Sequence, residues 1–179
     1  IFSGGVTGTN NLTINENATN GTITFSTNPI NNVGTVTNIG AGSGTTTISG
    51  GIGSNVTSIT ENSTTSALTV SGAITLANSA TKTLINSNTA LFTVSGGTTG
   101  GNASRVLDLK NNSTTTSGIT ISTTTLGHTG TITNTGSGSG SVLISGGVGS
   151  GITSITQNGT SPLNITTTAI TVASGGTTL

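Results

Sequence analysis

Cysteine, methionine, tryptophan and tyrosine are absent from this 179-residue chain, and its only aromatics are Phe2, Phe25 and Phe92. Without cysteine there is no disulfide framework and no thiolate metal site. Without aromatic platforms there is nothing on which bases stack. Charge is nearly missing too: Glu16, Glu61, Asp108, Lys82, Arg105 and Lys110 are the six charged side chains, and they cancel. Such a chain has no electrostatic reach toward nucleic acid or an anionic membrane, and neither is an expected partner. No apolar run approaches membrane-spanning length, so membrane insertion is not expected. The first residue is Ile1 and no signal peptide is visible; the expectation is a processed chain or a slice of a longer one.

What fills the chain is 44 Thr, 29 Gly, 24 Ser and 20 Asn, about two thirds of all residues. Polar, aromatic-poor chains are often disordered, but disorder also draws on net charge and on Pro, Glu and Lys, which are scarce here. Instead, Ile, Val and Leu stand singly between Thr and Ser at regular intervals. A charged fraction of 3%, against about a quarter for a typical soluble domain, leaves a neutral surface that favours association. The partner expected first is therefore the chain itself, as other copies or as further repeats.

The stretch SGGIGSNVTSIT at 49–60 returns as SGGVGSGITSIT at 145–156, an offset of 96 residues. The offset reaches well beyond this echo. GTVTN at 34–38 matches GTITN at 130–134, and AITLA at 73–77 matches AITVA at 169–173. Between Gly34 and Ser66, 20 of 33 aligned positions are identical. NENAT at 15–19 aligns with KNNST at 110–114. The reading is a single continuous segment holding just under two copies of a 96-residue unit, at about 1–90 and 91–179.

A finer rhythm runs inside the unit. Short segments (LTIN, TITF, TVTN, TTIS, TSIT, ALTV and their counterparts) recur every ten to thirteen residues. Each alternates apolar and polar residues, the period-two pattern of half-buried strands. Between them lie GAGSG, SGG, NSTTS, GSGSG and NGTSP, clusters that supply turn geometry. No window has helical periodicity. The fold class is all-β. Recurring near-identical segments favour a parallel β-solenoid, whose coils stack on coils like themselves at about 4.8 Å each; the alternative is a β-sandwich. With two or three strands per coil, one turn takes roughly 20–33 residues.

ALTVSGAITLA, LFTVSGGTTGG and ITVASGGTTL resemble bacterial autotransporter-associated β-strand repeats and the Gly/Asn/Thr-rich passengers of filamentous adhesins. The resemblance spans nearly the whole chain in composition and rhythm. It implies a right-handed parallel β-helix at the bacterial cell surface, serving as stalk, adhesin or matrix fibre, with no catalytic residues to transfer. The chain differs from such proteins in lacking a translocator barrel and in its longer unit.

Candidate chemistry is sparse. The two copies act as an internal control: Glu61 aligns with Gln157, Glu16 with Asn111 and His128 with Asn32, so ionisable residues change where Gly, Ser and Ile persist. Three acids at distant positions do not make the carboxylate pair that glycoside hydrolysis needs. Asp108 and Lys110, two apart in VLDLK, share a strand face and read as an exposed ion pair, with Leu107 and Leu109 opposite. His128 in LGHTG reads as a loop residue without metal-binding partners. GGIGSNVT at 50–57 half matches a calcium-binding nonapeptide, but Asn55 stands where the Asp ligand belongs and the second copy has Gly151. GSGSGS at 136–141 lacks the Lys and helix of a phosphate loop. The N-x-S/T sequons, among them Asn11, Asn17, Asn20, Asn55, Asn62, Asn102, Asn112, Asn158 and Asn164, are about as many as chance gives in a chain this rich in Ser and Thr.

Pairs of the form TxT (Thr22/Thr24, Thr35/Thr37, Thr45/Thr47, Thr131/Thr133, Thr166/Thr168) suggest an ice-binding face. That requires pairs in register on every coil, and the gaps of 13 and then 10 residues, with Ser141/Leu143 replacing Thr45/Thr47, do not supply it. No catalytic, cofactor or metal site is expected. The expected function is a non-enzymatic repeat module of an extracellular fibre, stalk or cell-surface adhesin that assembles by end-to-end β-stacking. The alternative is a surface-binding passenger for cell-surface or matrix glycans, or for ice.

Overall fold

Alternating side chains give each short segment one apolar face, and the chain buries those faces by coiling. The computed structural model describes residues 1–101, 104–166 and 169–179; Asn102 and Thr168, named above, lie outside them. Strands are numbered in chain order. The first face of the coil carries β1 (Leu12–Ile14), β3 (Gly34–Asn38), β5 (Val56–Glu61), β8 (Thr81–Asn86), β11 (Arg105–Asn111), β13 (Gly130–Asn134) and β15 (Ile152–Gln157), hydrogen-bonded in that order. The second face carries β2 (Ile23–Phe25), β4 (Thr46–Ile48), β6 (Leu68–Val70), β9 (Phe92–Val94), β12 (Ile119–Ile121), β14 (Val142–Ile144) and β16 (Leu163–Ile165), again in order. The third face is minimal: β7 (Ile74–Thr75), β10 (Thr98–Thr99) and single bridges through Val6, Ile30, Ile52, Leu126, Val148 and Ile170. Every named pairing is parallel. The fold is a parallel β-solenoid.

Stacked partners line the core. Phe25, Ile48, Val70, Val94, Ile121 and Ile144 follow one another on the second face, all buried. The third face stacks Ile30, Ile52 and Ile74, then Leu126 and Val148, all buried as well. Four coils separate Phe25 from Ile121 and Ile30 from Leu126, both pairs 96 residues apart. On these faces the unit is four coils, and equivalent residues stand in one column.

The first face departs from this. There the column runs Val36–Ile59–Leu84–Leu109–Asn134, so Val36 lies in line with Asn134 rather than with its counterpart Ile132. The second unit is displaced by two residues along the strand. A two-residue slip keeps inward side chains inward, whereas a slip of one would turn them out. The seven-residue β11 bridges both registers.

The twelve-residue echo now has a physical content. Its SGG forms the corner between second and third faces, where Gly51 (φ 87°) and Gly147 (φ 105°) take a backbone conformation that suits glycine. Its second half carries a bulge: Gly34 pairs with Val56 but Thr35 with Ser58, and Gly130 pairs with Ile152 but Thr131 with Ser154. The extra residues, Thr57 and Thr153, each donate a hydroxyl hydrogen bond to the carbonyl of the opposed glycine at 3.1 Å.

Other glycines are required because neighbouring coils pass too close for a Cβ. At Gly44 it would overlap the Gly21 carbonyl, whereas at Gly175 it would meet open space. Gly44→Ala is therefore expected to cost about 1–3 kcal/mol, as overpacking does, and Gly175→Ala less than about 0.5 kcal/mol. Urea unfolding of the two variants checks this.

Candidate functional site

The corner between first and second faces places one amide or carboxyl side chain in every coil: Glu16, Asn38, Glu61, Asn86, Asn111, Asn134 and Gln157. All but the last are buried. Each stands at or just past the end of a first-face strand, where the chain turns and its backbone groups lose their ladder partners. The side-chain oxygen accepts from the N–H two residues on: Ala18 to Glu16 (2.7 Å), Ser63 to Glu61 (2.6 Å), Asn88 to Asn86 (3.0 Å), Ser113 to Asn111 (3.1 Å). The amide donates to the carbonyl four residues on and to the next coil. Asn86 Nδ2 reaches Ala90 (2.8 Å) and Gly118 (2.7 Å), and Asn111 Nδ2 reaches Thr115 (3.1 Å) and Ser141 (2.9 Å). Direct rungs complete the ladder: Asn38 Nδ2 donates to Glu61 Oε2 (2.8 Å), and Asn134 Nδ2 to Gln157 Oε1 (2.9 Å).

Glu61 is thus no surface decoration. It fills the amide position that Gln157 fills in the second unit. Burial pushes its carboxyl up from 4.5 to about 7, against the lowering effect of the bonds from Asn38 and Ser63. Glu16 fills the position of Asn111, but its Oε2 is buried with no partner, at a place where Asn111 carries a donor.

The other corner, between third and first faces, gathers Lys82, Arg105 and His128. Lys82 Nζ donates to the Gly53 carbonyl at 2.8 Å, and burial lowers its ammonium from 10.5 to about 8. Arg105 Nε donates to the Leu76 carbonyl at 3.0 Å, and its guanidinium also bonds Asn78. His128, expected as a loop residue, does lie between strands but is fully buried. Its Nε2 bonds the Thr131 carbonyl at 3.3 Å and its Nδ1 the Thr98 hydroxyl at 2.8 Å, so Nε2 carries the proton. Burial, ahead of the nearby Arg105 charge, lowers its pKa. Asn32, its counterpart, bonds the Thr35 carbonyl in the same way at 3.3 Å. These residues close backbone gaps at a corner.

Asp108 and Lys110 share a face and pair at 3.5 Å, with Leu107 and Leu109 buried opposite. The acid is mostly covered rather than exposed, and it also accepts from Thr135 Oγ1 at 2.8 Å. In GGIGSNVT, Asn55 offers its backbone N–H to Asn31 Oδ1 at 3.0 Å. Among the described residues no three His, Cys, Asp or Glu side chains gather in one place.

The remaining feature is the open face of the first described coil. Phe2, Val6, Leu12, Ile14, Ile23 and Phe25 line an apolar recess of about 260 Å³, and the Phe2 and Phe25 rings stack at 5.2 Å. Similar side chains further along are covered by the next coil.

No family model, curated protein or solved structure matches this chain. The parallel β-solenoid fold stands, and no match ties the chain to autotransporter or filamentous-adhesin repeats.

Glu61 makes stability depend on pH in a calculable direction. Between pH 4.5 and about 7 the folded chain keeps a proton that the unfolded chain has lost. Stability from this group is full below pH 4.5 and falls as pH rises to 7. His128 works oppositely below 6.5, and Lys82 raises stability only between about 8 and 10.5. Comparison with Glu61→Gln isolates the first effect. The variant is expected to flatten the fall in midpoint denaturant concentration between pH 5 and 7.5 and to be the more stable protein at pH 7.5.

Proposed function

We infer that the chain is a non-enzymatic structural module of an extracellular fibre, stalk or cell-surface adhesin, built to stack coil on coil with further units or copies of itself. The observation that carries this reading is the junction between the two units. The second unit continues from the first through the same parallel pairings that join coils within a unit, β8 to β11 and β9 to β12. The junction keeps the register of the coils before it, with Leu84 opposite Leu109 and Asn86 opposite Asn111; the corner residues shift by two only at the next pairing, where Asn134 faces Leu109. A surface able to receive one unit this way is suited to receiving another.

The apolar recess of the first coil supports the same reading, since Leu12, Ile14, Ile23 and Phe25 are the lining against which a preceding coil would pack. The cell-surface setting follows from the likeness to autotransporter and filamentous-adhesin repeats.

Electron microscopy and sedimentation velocity test this. The chain is expected to form rods whose length grows with concentration. Ile23→Lys, which puts a charge in the recess, is expected to leave short particles, whereas Thr60→Lys on the outer first face leaves rods intact. Compact monomers at high concentration of the unaltered chain contradict the proposal.

A further inference from the structure

Beyond stacking, one lateral face has an organisation that coil packing does not require. The TxT gaps of 13 and 10 residues, read along the chain, argue against a regular array. The structure removes that objection, because successive pairs lie on different faces: Thr24 and Thr47 on the second, Thr35/Thr37 and Thr131/Thr133 on the first. Within the second face the register is unbroken. Thr24, Thr47, Thr69, Thr93 and Thr120 pair coil to coil as one outward column. Two residues along each strand stands a serine: Ser26, Ser49, Ser71, Ser95 and Ser122. The ladder continues through them, the N–H of Ser49, Ser71, Ser95 and Ser122 donating to the preceding coil at 2.8–3.0 Å.

The result is a two-dimensional grid, with hydroxyls about 4.8 Å apart along the axis and about 6.7 Å apart along the strand. The grid is stiff. Threonine is restricted at χ1, and Thr47, Thr69, Thr93 and Thr120 each sit between buried neighbours, such as Leu68 and Val70 or Phe92 and Val94. The hydroxyls of Thr24, Thr47, Thr69 and Thr93 have no protein partner among the described residues, whereas Thr120 donates to the Ser117 carbonyl at 3.0 Å and Ser49 to the Phe25 carbonyl at 3.2 Å. No charged side chain stands on this face. The first face is different: its columns are interrupted by Ile85, Val106 and the Asp108–Lys110 pair.

We propose that the threonine–serine grid of the second face binds ice, holding a layer of ordered water in the repeat of an ice surface. Ice is the occupant that fits a regular, uncharged grid. A charged partner finds no counter-charge here. A sugar site calls for a concavity with convergent polar groups and apolar ring faces, and this face repeats small hydroxyl side chains at a fixed step. Water needs no more than repeated donors and acceptors at the right interval. Leu143 and Asn164 continue the column in the last coils, confining the proposed site to the first five.

The test is partition of the purified chain into slowly grown ice, with thermal hysteresis measured alongside. The unaltered chain is expected to be enriched several-fold in the ice and to shape the crystals. Thr69→Lys, in the middle of the column, is expected to fall to the level of a carrier protein that ice excludes, while Thr60→Lys on the first face keeps full enrichment. Circular dichroism and melting establish that both variants fold. If Thr69→Lys does not fold, Thr93→Val, which removes one hydroxyl and keeps the shape, takes its place and is expected to lower enrichment. Exclusion of the unaltered chain from ice overturns the proposal, as does equal loss in Thr60→Lys. Retention on insoluble cellulose or chitin that Thr69→Lys abolishes, without ice enrichment, assigns the face to glycans and also overturns it.

Discussion

Parallel hydrogen bonding between adjacent coils is the interaction on which everything else depends. It fixes the rise at about 4.8 Å, and that spacing dictates composition. At the corners, backbones of successive coils pass so close that a Cβ at Gly44, Gly50 or Gly72 would run into the main chain of the coil before it. The interior takes one or two apolar side chains per face per coil, so Ile, Val and Leu suffice and even Phe92 is enclosed between Leu68 and Ile119. Outward positions have neighbours above and below at the same step, where β-branched threonine fits a pleated surface. The scarcity of aromatics and charge follows from the same constraint, because a bulky or charged residue in one coil is felt by two others.

Corners are where this arrangement leaves backbone groups unpaired, and the buried polar ladder answers that need. An asparagine at a coil corner serves three groups at once: an N–H in its own turn, a carbonyl in its own turn and a carbonyl in the next coil. The amide is neutral, so the arrangement avoids the desolvation cost that a buried ion carries. Glu61 shows that cost, with its carboxyl raised toward neutrality. Lys82 and His128 show it at the opposite corner with the opposite sign of charge. The ladder therefore works as a stacking device whose strength is sensitive to which of its members can ionise.

Much of the fold was legible in the sequence, for identifiable reasons. Segments such as TVTN, TSIT and VLDL alternate with period two, and each became a strand of the first or second face. The third face was legible only at AITLA, which holds β7, because elsewhere a contact through one residue such as Ile52 or Leu126 leaves no alternation to detect. The ladder was hidden for another reason. Glu61 opposite Gln157, and His128 opposite Asn32, look like loss of a functional residue when compared by charge. Compared by hydrogen bonding they are replacements of like by like, and only burial and partners reveal that. The TxT pairs misled in the same manner, since a one-dimensional gap mixes positions from two faces.

The two-residue slip on the first face bears on how such coils continue one another. Were stacking governed by side-chain identity, Val36 and Ile132 would share a column, as Phe25 and Ile121 do on the second face. Instead Leu109 meets Leu84 on one side and Asn134 on the other, and the ladder of main-chain bonds passes through unchanged. What must be conserved is parity: Leu107 and Leu109 stay inward while Asp108 and Lys110 stay outward, which an even slip respects and an odd one reverses. A coil that offers a strand of correct parity, a small-residue corner and a neutral polar side chain at the turn meets the conditions that the second unit meets here. The specificity of stacking then lies in the corners, where glycine and the amide ladder set the approach, rather than in the apolar core, which accepts Leu, Ile, Val or Phe alike.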